Sequence, residues 1–311
     1  MASLLFPPDL PKSLFHDLQV EPEEARSILR PQRDGRYGFG FALSPYRGCG
    51  HGCRYCDVRD YPQPVPGGAP GELHGAGAWG TWAVPKLNAP ELLWAQRHRL
   101  HGQKVFMSSA TDPYQPLERE FRLTRACLEV LLQCPTTRVI LHTRSPLVLQ
   151  DLELIKAFGD RLSVGFSIPT DDDTVRQVTE PKAPPIPSRW AAVERLALAG
   201  VRVTVAATPL MAMQDPAVFA RRAVASGAAG AWAGGLRLLR DDPFRDLLAH
   251  HGWLHILDPD YLEEVQGALQ AAFPPESGVG KGRGRKVQAE VGRPVRIPAS
   301  PVRQPGLFDG L

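Results

Sequence analysis

The sequence predicts an α/β protein, because short apolar runs alternate with longer stretches of helical periodicity along most of the 311 residues. Most of the helical stretches end at a glycine, a residue that commonly terminates helices. Repeated strand–helix units predict a parallel sheet in which helices connect successive strands. Hydrophobic residues make up 43% of the chain, which is sufficient for a sizeable core.

The first strand is predicted at 39–44, after an N-terminal arm at 1–38 that is rich in proline and charge and has one helical candidate at 21–29. Five further strands are predicted at 104–108, 138–142, 162–168, 201–207 and 231–239. Helices are predicted at 88–101, with Asn88 as N-cap, and at 117–133, 147–158, 188–199 and 216–226. The proline- and glycine-rich run at 62–80 is predicted to be a loop.

The strands and helices define a core domain at 39–240, and two further parts follow it. A helical extension is predicted at 241–274, with its helix at 258–272, and a tail at 275–311 loses all periodicity. The tail has a net charge of +4 in a chain whose total is +3, so the other residues sum to about −1. Its low-complexity basic run at 280–286 predicts disorder.

The composition argues against a membrane or secreted protein. No apolar run approaches the roughly eighteen residues that a membrane-spanning helix needs. Residues 1–12 lack the basic-then-apolar pattern of a signal peptide. Three of the five cysteines are clustered, which favours a reducing compartment over a disulfide framework. We therefore expect a cytoplasmic protein.

The clustered cysteines are Cys49, Cys53 and Cys56, spaced C-x3-C-x2-C in a loop after the first strand. Intervening glycines let the backbone wrap tightly, so that three sulfurs can converge. Three thiolates predict a soft-metal or iron–sulfur site, and the missing fourth cysteine leaves one metal position open for chemistry. A Cys3His zinc site that uses His51 is the alternative interpretation.

The wider run Pro-Tyr-Arg-Gly-Cys-x-His-Gly-Cys-x-Tyr-Cys at 45–56 resembles the radical S-adenosylmethionine (SAM) superfamily, in the branch related to spore photoproduct lyase. The resemblance covers 37–239 and implies a partial (β/α)6 TIM-like barrel, which periodicity alone does not distinguish from an open doubly wound sheet. It implies a [4Fe–4S] cluster on the three cysteines, with SAM on the fourth iron. One electron from the cluster would split SAM into methionine and a 5′-deoxyadenosyl radical that abstracts hydrogen from substrate, as in a lyase-like reaction.

The resemblance also implies contacts to SAM at the ends of two strands. The run Thr-Asp-Pro-Tyr-Gln-Pro at 111–116 matches a segment that holds the SAM amino group, which assigns Thr111 and Asp112. Arg144 stands where the branch often has a lysine for the SAM carboxylate, and a guanidinium can replace it. The alternatives are a helix-entry loop in which Asp112 is the cap before Pro113, and a surface position for Arg144 beside a helix N-cap at Ser145.

Further residues match the branch at single positions. Ser167 matches a serine near the SAM ribose or carboxylate, with a turn serine as the alternative. Tyr55, the aromatic residue before the third cysteine, is the candidate catalytic residue beside the cluster and the adenine. Glu180 belongs to a matching Glu-Pro-x-Ala-Pro element, for which a cap or a salt bridge is the plain interpretation. His142 is expected to satisfy a core hydrogen bond, and Cys127 to pack in the core.

Some positions depart from the branch. Ser44 replaces a usual asparagine, and Asp57 replaces a usual tyrosine. Spore photoproduct lyase donates hydrogen from a cysteine at the position that corresponds to Ser109, and a serine O–H bond is too strong for that step. Thymine-dimer repair by that route is therefore not expected here.

Three kinds of partner are predicted. The resemblance implies an electron donor such as a flavodoxin or ferredoxin. The basic tail predicts contacts to DNA phosphates, since disordered Lys/Arg-rich arms bind them non-specifically. The run Gln304–Phe308 resembles sliding-clamp binding peptides, which dock a Leu-Phe pair in an apolar pocket. The alternative function is a non-enzymatic, zinc-binding nucleic-acid or clamp adaptor.

Overall fold

The structure is a computed structural model that describes residues 18–32, 38–61, 63–65, 72–107, 110–238 and 242–273. The predicted tail and Ser109 lie outside these residues. The strands of the described chain are β1 (Gln19–Val20), β2 (Leu29–Pro31), β3 (Phe41–Leu43), β4 (Tyr46–Gly48), β5 (Gln63–Pro64), β6 (Leu73–His74), β7 (Trp82–Pro85), β8 (Lys104–Met107), β9 (Arg138–Thr143), β10 (Leu162–Ser167), β11 (Arg202–Ala207) and β12 (Gly230–Ala233).

Nine α-helices occur in the described ranges. They are α1 (Ala89–Gln96), α2 (Glu118–Phe121), α3 (Leu123–Leu132), α4 (Leu152–Ala157), α5 (Asp173–Thr179), α6 (Ile186–Leu198), α7 (Pro216–Ala225), α8 (Pro243–His250) and α9 (Pro259–Ala272). No helix of this part of the chain is long and apolar enough to span a bilayer.

The central sheet has the strand order β12-β11-β10-β9-β8-β3-β2, in which only β2 runs antiparallel to its neighbour. Its six parallel strands lie side by side in chain order. In a doubly wound sheet the strand order reverses, so helices cover both faces. When the order does not reverse, right-handed crossovers place all the helices on one face, as in the wall of a barrel. The predicted α/β class with six parallel strands is confirmed, and β2 and β12 do not pair to close a barrel within the described chain.

The core lies between this sheet and its helices. In β9, Val139 and Leu141 are buried, while Ile140 and His142 on the opposite face are partly exposed. Val164 and Phe166 of β10 are buried in the same apolar cluster as the helical side chains. Each such side chain contributes roughly 1.5–3 kcal/mol on burial. Cys127 is fully buried in this cluster, which confirms its prediction as a core residue.

The predicted helix at 117–133 is wrong as a single element, because Arg122 has φ 52° and separates α2 from α3. The cause is the buried carboxylate of Glu118, which accepts hydrogen bonds from the backbone N–H groups of Thr124 and Arg125 at 3.0 Å. These are among the first N–H groups of α3, which have no partner inside the helix. The carboxylate thus stabilises a new helix start where periodicity predicts continuation.

Several other elements differ from their predicted bounds. The predicted helix at 21–29 is wrong: within this range Glu23 forms an isolated parallel bridge with Lys86, and Leu29 begins β2. The range 147–158 is a 3-10 turn at Pro146–Asp151 followed by α4. The predicted loop at 62–80 contains the β5–β6 hairpin, and α5, α8 and β7 had no predicted counterpart. Asn88 precedes α1 but bonds the backbone of Ala25, at 2.8 and 2.9 Å, instead of capping the helix.

Candidate functional site

A loop at 49–56, hereafter the cysteine loop, follows β4 near the carboxyl end of β3. β4 pairs antiparallel with β7, which brings Gly48 beside Trp82. Gly48 has φ 70°, and a Cβ atom there would lie 2.6 Å from the Trp82 ring. A Cβ atom on Gly80 would lie 2.5 Å from the Cα atom of Gly52. The tight wrapping predicted from the glycines is therefore present, and it depends on the absence of side chains.

The three cysteines of the loop are free thiols. Cys49 and Cys53 are 7% and 6% exposed, and Cys56 is partly buried. Burial raises the pKa of Cys49 and Cys53, and it raises the pKa of Cys56 to about 12. Metal ligation must displace these protons, because the thiolate is the form that binds. The donor set fits an iron–sulfur cluster in number and in chemistry.

Across the described ranges, no three His, Cys, Asp or Glu side chains are grouped so that they could hold one metal ion. That observation concerns a single ion. The thiolates of a [4Fe–4S] cluster bind different irons, so they stand farther apart than the ligands of one zinc ion.

The segment 110–116 is hydrogen-bonded to the cysteine loop. The Thr111 hydroxyl donates to the carbonyl oxygen of Gly48 at 2.6 Å. The Gln115 amide donates to the Thr111 hydroxyl at 3.0 Å and accepts from the backbone N–H of Gly50 at 2.8 Å. Gln115 lies inside the motif at 111–116, although no role was predicted for it. The predicted SAM residue Thr111 therefore braces the loop backbone with its side chain.

The carboxylate of Asp112 joins the ends of β8 and β9. It accepts hydrogen bonds from the Thr143 hydroxyl at 2.6 Å and from the backbone N–H groups of Tyr114 and Arg144 at 2.9 Å. Nε2 of His51 lies 3.5 Å from its Oδ2. Burial alone would raise the pKa of Asp112, but these donors hold it well below its usual range. The bond from Tyr114 makes Asp112 the cap of a turn, whereas α2 begins only at Glu118, so the helix-capping alternative for Asp112 is wrong.

Arg144 points toward the cysteine loop and is not a surface residue, since its side chain is only 16% exposed. Its Nη1 donates to the Tyr55 hydroxyl at 2.7 Å and to Sγ of Cys53 at 3.1 Å. The same nitrogen forms an ion pair with Glu180. The surface alternative is therefore wrong, although Ser145 does accept a hydrogen bond from the backbone N–H of Leu147 as predicted for a cap.

Glu180 is the centre of this network and is fully buried. One carboxylate oxygen binds the Tyr55 hydroxyl and Arg144, and the other binds the buried guanidinium of Arg189. Burial would raise the pKa of Glu180, but the charges of Arg144 and Arg189 lower it, so the group stays ionised. Arg189, which sequence analysis did not single out, also donates to the backbone oxygen of Ser167 at 3.4 Å.

Tyr55 is buried, and its ring packs edge-on against Phe244 of α8, with ring centroids 6.1 Å apart. Burial, together with the negative charge of Glu180, raises the pKa of its hydroxyl well above the ordinary value, although Arg144 opposes that shift. The hydroxyl therefore remains protonated and donates to Glu180.

Two polar atoms near the carboxyl ends of β9 and β10 lack partners. Oγ of Ser167 and Nε2 of His142 are buried without a hydrogen bond in the described structure. The expectation that His142 satisfies a core hydrogen bond is thus wrong for Nε2. Burial and the charge of Arg144 lower the pKa of His142 to about 4, so its imidazole is neutral near pH 7. An unpartnered buried hydroxyl at Ser167 fits a residue that binds a ligand.

The hydrogen-bond network joins the predicted residues to one another. Thr111 contacts the loop directly, Asp112 binds the backbone of Arg144, and Arg144 binds Tyr55 and Cys53. Ser167 is linked more remotely, through Arg189.

A model of the radical SAM superfamily matches residues 43–217, more than half of the chain, and the chain belongs to this superfamily. It is 29% identical over 174 residues to an uncharacterised protein of Methanocaldococcus jannaschii, covering 56% of this chain and 61% of that protein. It is 29% identical over 214 residues to an uncharacterised protein of Acidianus two-tailed virus, covering 66% and 69%. The match thus spans less than two thirds of the archaeal relative.

Among solved structures, the chain is similar to a spore photoproduct lyase mutant with bound AdoMet and dinucleoside spore photoproduct. The TM-score is 0.60 at 12% identity, over 87% of this chain and 84% of the lyase. At this identity the similarity shows a shared fold.

Gly48→Ala tests the tight wrapping of the loop, with Gly102→Ala as its control. Both glycines have positive φ, but a Cβ atom on Gly102 meets nothing within 4 Å. We expect Gly102→Ala to lower the free energy of unfolding by about 1 kcal/mol from backbone strain alone. Gly48→Ala should cost about 3 kcal/mol because it also collides with Trp82. Urea denaturation measures both, and equal losses would contradict the close contact.

Proposed function

We propose that this radical SAM protein is an enzyme that binds a [4Fe–4S] cluster on Cys49, Cys53 and Cys56 and cleaves SAM reductively. The observation that carries the proposal is the set of three free cysteines in one tightly wrapped loop of the matched domain. When bound, the cluster and SAM supply one-electron cleavage of a carbon–sulfur bond and a carbon radical that can abstract hydrogen.

The residues around the loop then have distinct proposed roles. Thr111 and Gln115 hold the loop backbone in place through Gly48 and Gly50. Asp112 is saturated by protein donors, so its side chain positions the ends of β8 and β9, while the polar backbone of this segment remains the candidate for the SAM amino group. The free hydroxyl of Ser167 is the candidate to bind the SAM ribose or carboxylate.

Cys53→Ala tests the cluster assignment, with Cys134→Ala as control because Cys134 lies outside the loop. After anaerobic reconstitution with iron and sulfide, the wild type and Cys134→Ala should convert SAM to 5′-deoxyadenosine and methionine once reduced by dithionite. Cys53→Ala should lose that activity, since two thiolates do not retain the cluster. Product formation is measured by chromatography. Equal turnover by Cys53→Ala would refute the proposal.

We also propose that a small acidic one-electron carrier, of the flavodoxin or ferredoxin kind, reduces the protein. A groove of about 470 Å³ supports this proposal, because Gly52 of the cysteine loop lines it together with Arg54, Arg59 and Lys182. Arg59 pairs with Asp242, whereas Arg54 and Lys182 form no ion pair among the residues that the structure describes. Two unpaired cations beside the loop favour an acidic partner.

Arg54→Glu and Lys182→Glu test this groove, with Arg195→Glu on α6 as a matched charge reversal elsewhere. With an acidic flavodoxin as reductant, the groove variants should lose at least tenfold in the rate of SAM cleavage at low salt, because electrostatic steering is reversed. With dithionite, all variants should match the wild type. Equal rates for all three variants with the flavodoxin would contradict docking in the groove.

For the substrate we propose a nucleic acid. The shared fold with a lyase that holds a dinucleoside photoproduct supports this class, as does the basic sequence at 275–311. For Gln304–Phe308 we propose binding to a sliding clamp, which would bring the enzyme to DNA.

Truncation after residue 274 tests the tail. The shortened chain should bind duplex DNA at least tenfold more weakly, with a smaller salt dependence, because it loses the cationic contacts to phosphates. Phe308→Ala should lose binding to a bacterial clamp but keep DNA binding. Fluorescence anisotropy measures both. Unchanged DNA affinity after truncation would contradict DNA binding by the tail. Dithionite-driven SAM cleavage by the shortened chain is the control for folding.

A further inference from the structure

We propose that Arg144 is a positioning residue for the Cys53 thiolate that raises the reduction potential of the cluster, and that Glu180 limits this effect. This inference rests on the proposed function of the cysteine loop. It departs from the role that family resemblance gives Arg144, which is to bind the SAM carboxylate.

The first support is direct contact. Nη1 of Arg144 lies 3.1 Å from Sγ of Cys53, a hydrogen-bonding distance for sulfur, and 2.7 Å from the hydroxyl of Tyr55. Cys53 is 6% exposed and the Arg144 side chain 16% exposed. Water therefore screens this contact poorly, so the positive charge acts strongly on the sulfur.

The second support is the way the guanidinium is held. Glu180 binds Arg144 with one oxygen and Arg189 with the other, and the Tyr55 hydroxyl also donates to it. Both Glu180 and Arg189 are fully buried. Because Glu180 is fixed from two sides, Arg144 is directed at Cys53 and already has a carboxylate partner. The two arginines and the one carboxylate of this network sum to one positive charge, and Arg144 is the cation that contacts the thiol.

The effect on potential follows from charge. Reduction of a cluster adds one negative charge, which is shared by its irons and their thiolate ligands. A buried cation that hydrogen-bonds one thiolate stabilises the reduced form more than the oxidised form, and this raises the potential. Glu180 carries the opposite charge at nearly the same place, so it lowers the potential. The two residues must therefore act with opposite sign.

The test uses Arg144→Gln and Glu180→Gln in the full chain, reconstituted anaerobically. Arg161→Gln is the matched control, because the hydrogen bonds that Arg161 donates within the described residues all go to backbone carbonyl groups outside the cysteine loop, including that of Cys134. Iron and sulfide content is measured first. The potential is then obtained by redox titration of the electron paramagnetic resonance signal, and SAM affinity by equilibrium dialysis of the oxidised protein.

We expect Arg144→Gln to shift the potential to a more negative value and Glu180→Gln to shift it to a more positive value. The control should keep the wild-type potential, and SAM affinity should stay within about twofold in Arg144→Gln. An unchanged potential with SAM binding weakened tenfold or more would overturn the proposal in favour of the carboxylate role. Shifts of the same sign in both variants would also overturn it, because removal of opposite charges must shift the potential in opposite directions.

Two milder variants keep the proposal testable if Arg144→Gln or Glu180→Gln fails to fold. Arg144→Lys keeps the charge and should have a potential closer to the wild type than Arg144→Gln does. Tyr55→Phe removes one hydrogen bond to Glu180 but no charge, and it should shift the potential less than either charge change. A larger shift in Tyr55→Phe than in Glu180→Gln would contradict the proposal. A wild-type chain that takes up no iron and sulfide would refute the proposed function itself, a result distinct from an unchanged potential.

Discussion

A buried carboxylate is stable only while it keeps its hydrogen-bond and ion-pair partners. The arrangement of the whole site depends on this requirement at Glu180. Its side chain is fully buried and binds Tyr55, Arg144 and Arg189. Loss of one partner of a buried ion pair typically costs 3–5 kcal/mol, so the three elements that carry these residues stay together. The cysteine loop, the end of β9 and helix α6 are thereby fixed at one edge of the sheet.

A second buried carboxylate completes the support. Asp112 binds the Thr143 hydroxyl and the backbone of Arg144, while its neighbours Thr111 and Gln115 bind the glycines of the loop. The loop is therefore held from two strand ends at once. The cysteine loop of this radical SAM chain is thus held in place by buried polar groups that follow both strands.

Sequence alone predicted the six parallel strands, because each combines an apolar run with a following helix, and the cysteine spacing located the site. It did not predict the break at Arg122, because the helical periodicity of the sequence continues through this residue. The break depends on the side chain of Glu118, which accepts hydrogen bonds from the first turn of α3. Short elements such as β7 and α5 were not predicted, because tertiary contacts stabilise them more than local propensity does. The bonds of Arg144 to Cys53 and Glu180 join residues distant in the chain, and no spacing pattern reports them.

The proposed function requires three thiolates that hold a [4Fe–4S] cluster with one iron left for SAM. Metal and sulfide analysis of the anaerobically purified chain, combined with Mössbauer spectroscopy before and after addition of SAM, tests this most directly. We predict about four irons and four sulfides per chain, and a change in the signal of one iron when SAM binds. Stoichiometric zinc without sulfide, or a cluster in which SAM alters no iron, would contradict the account.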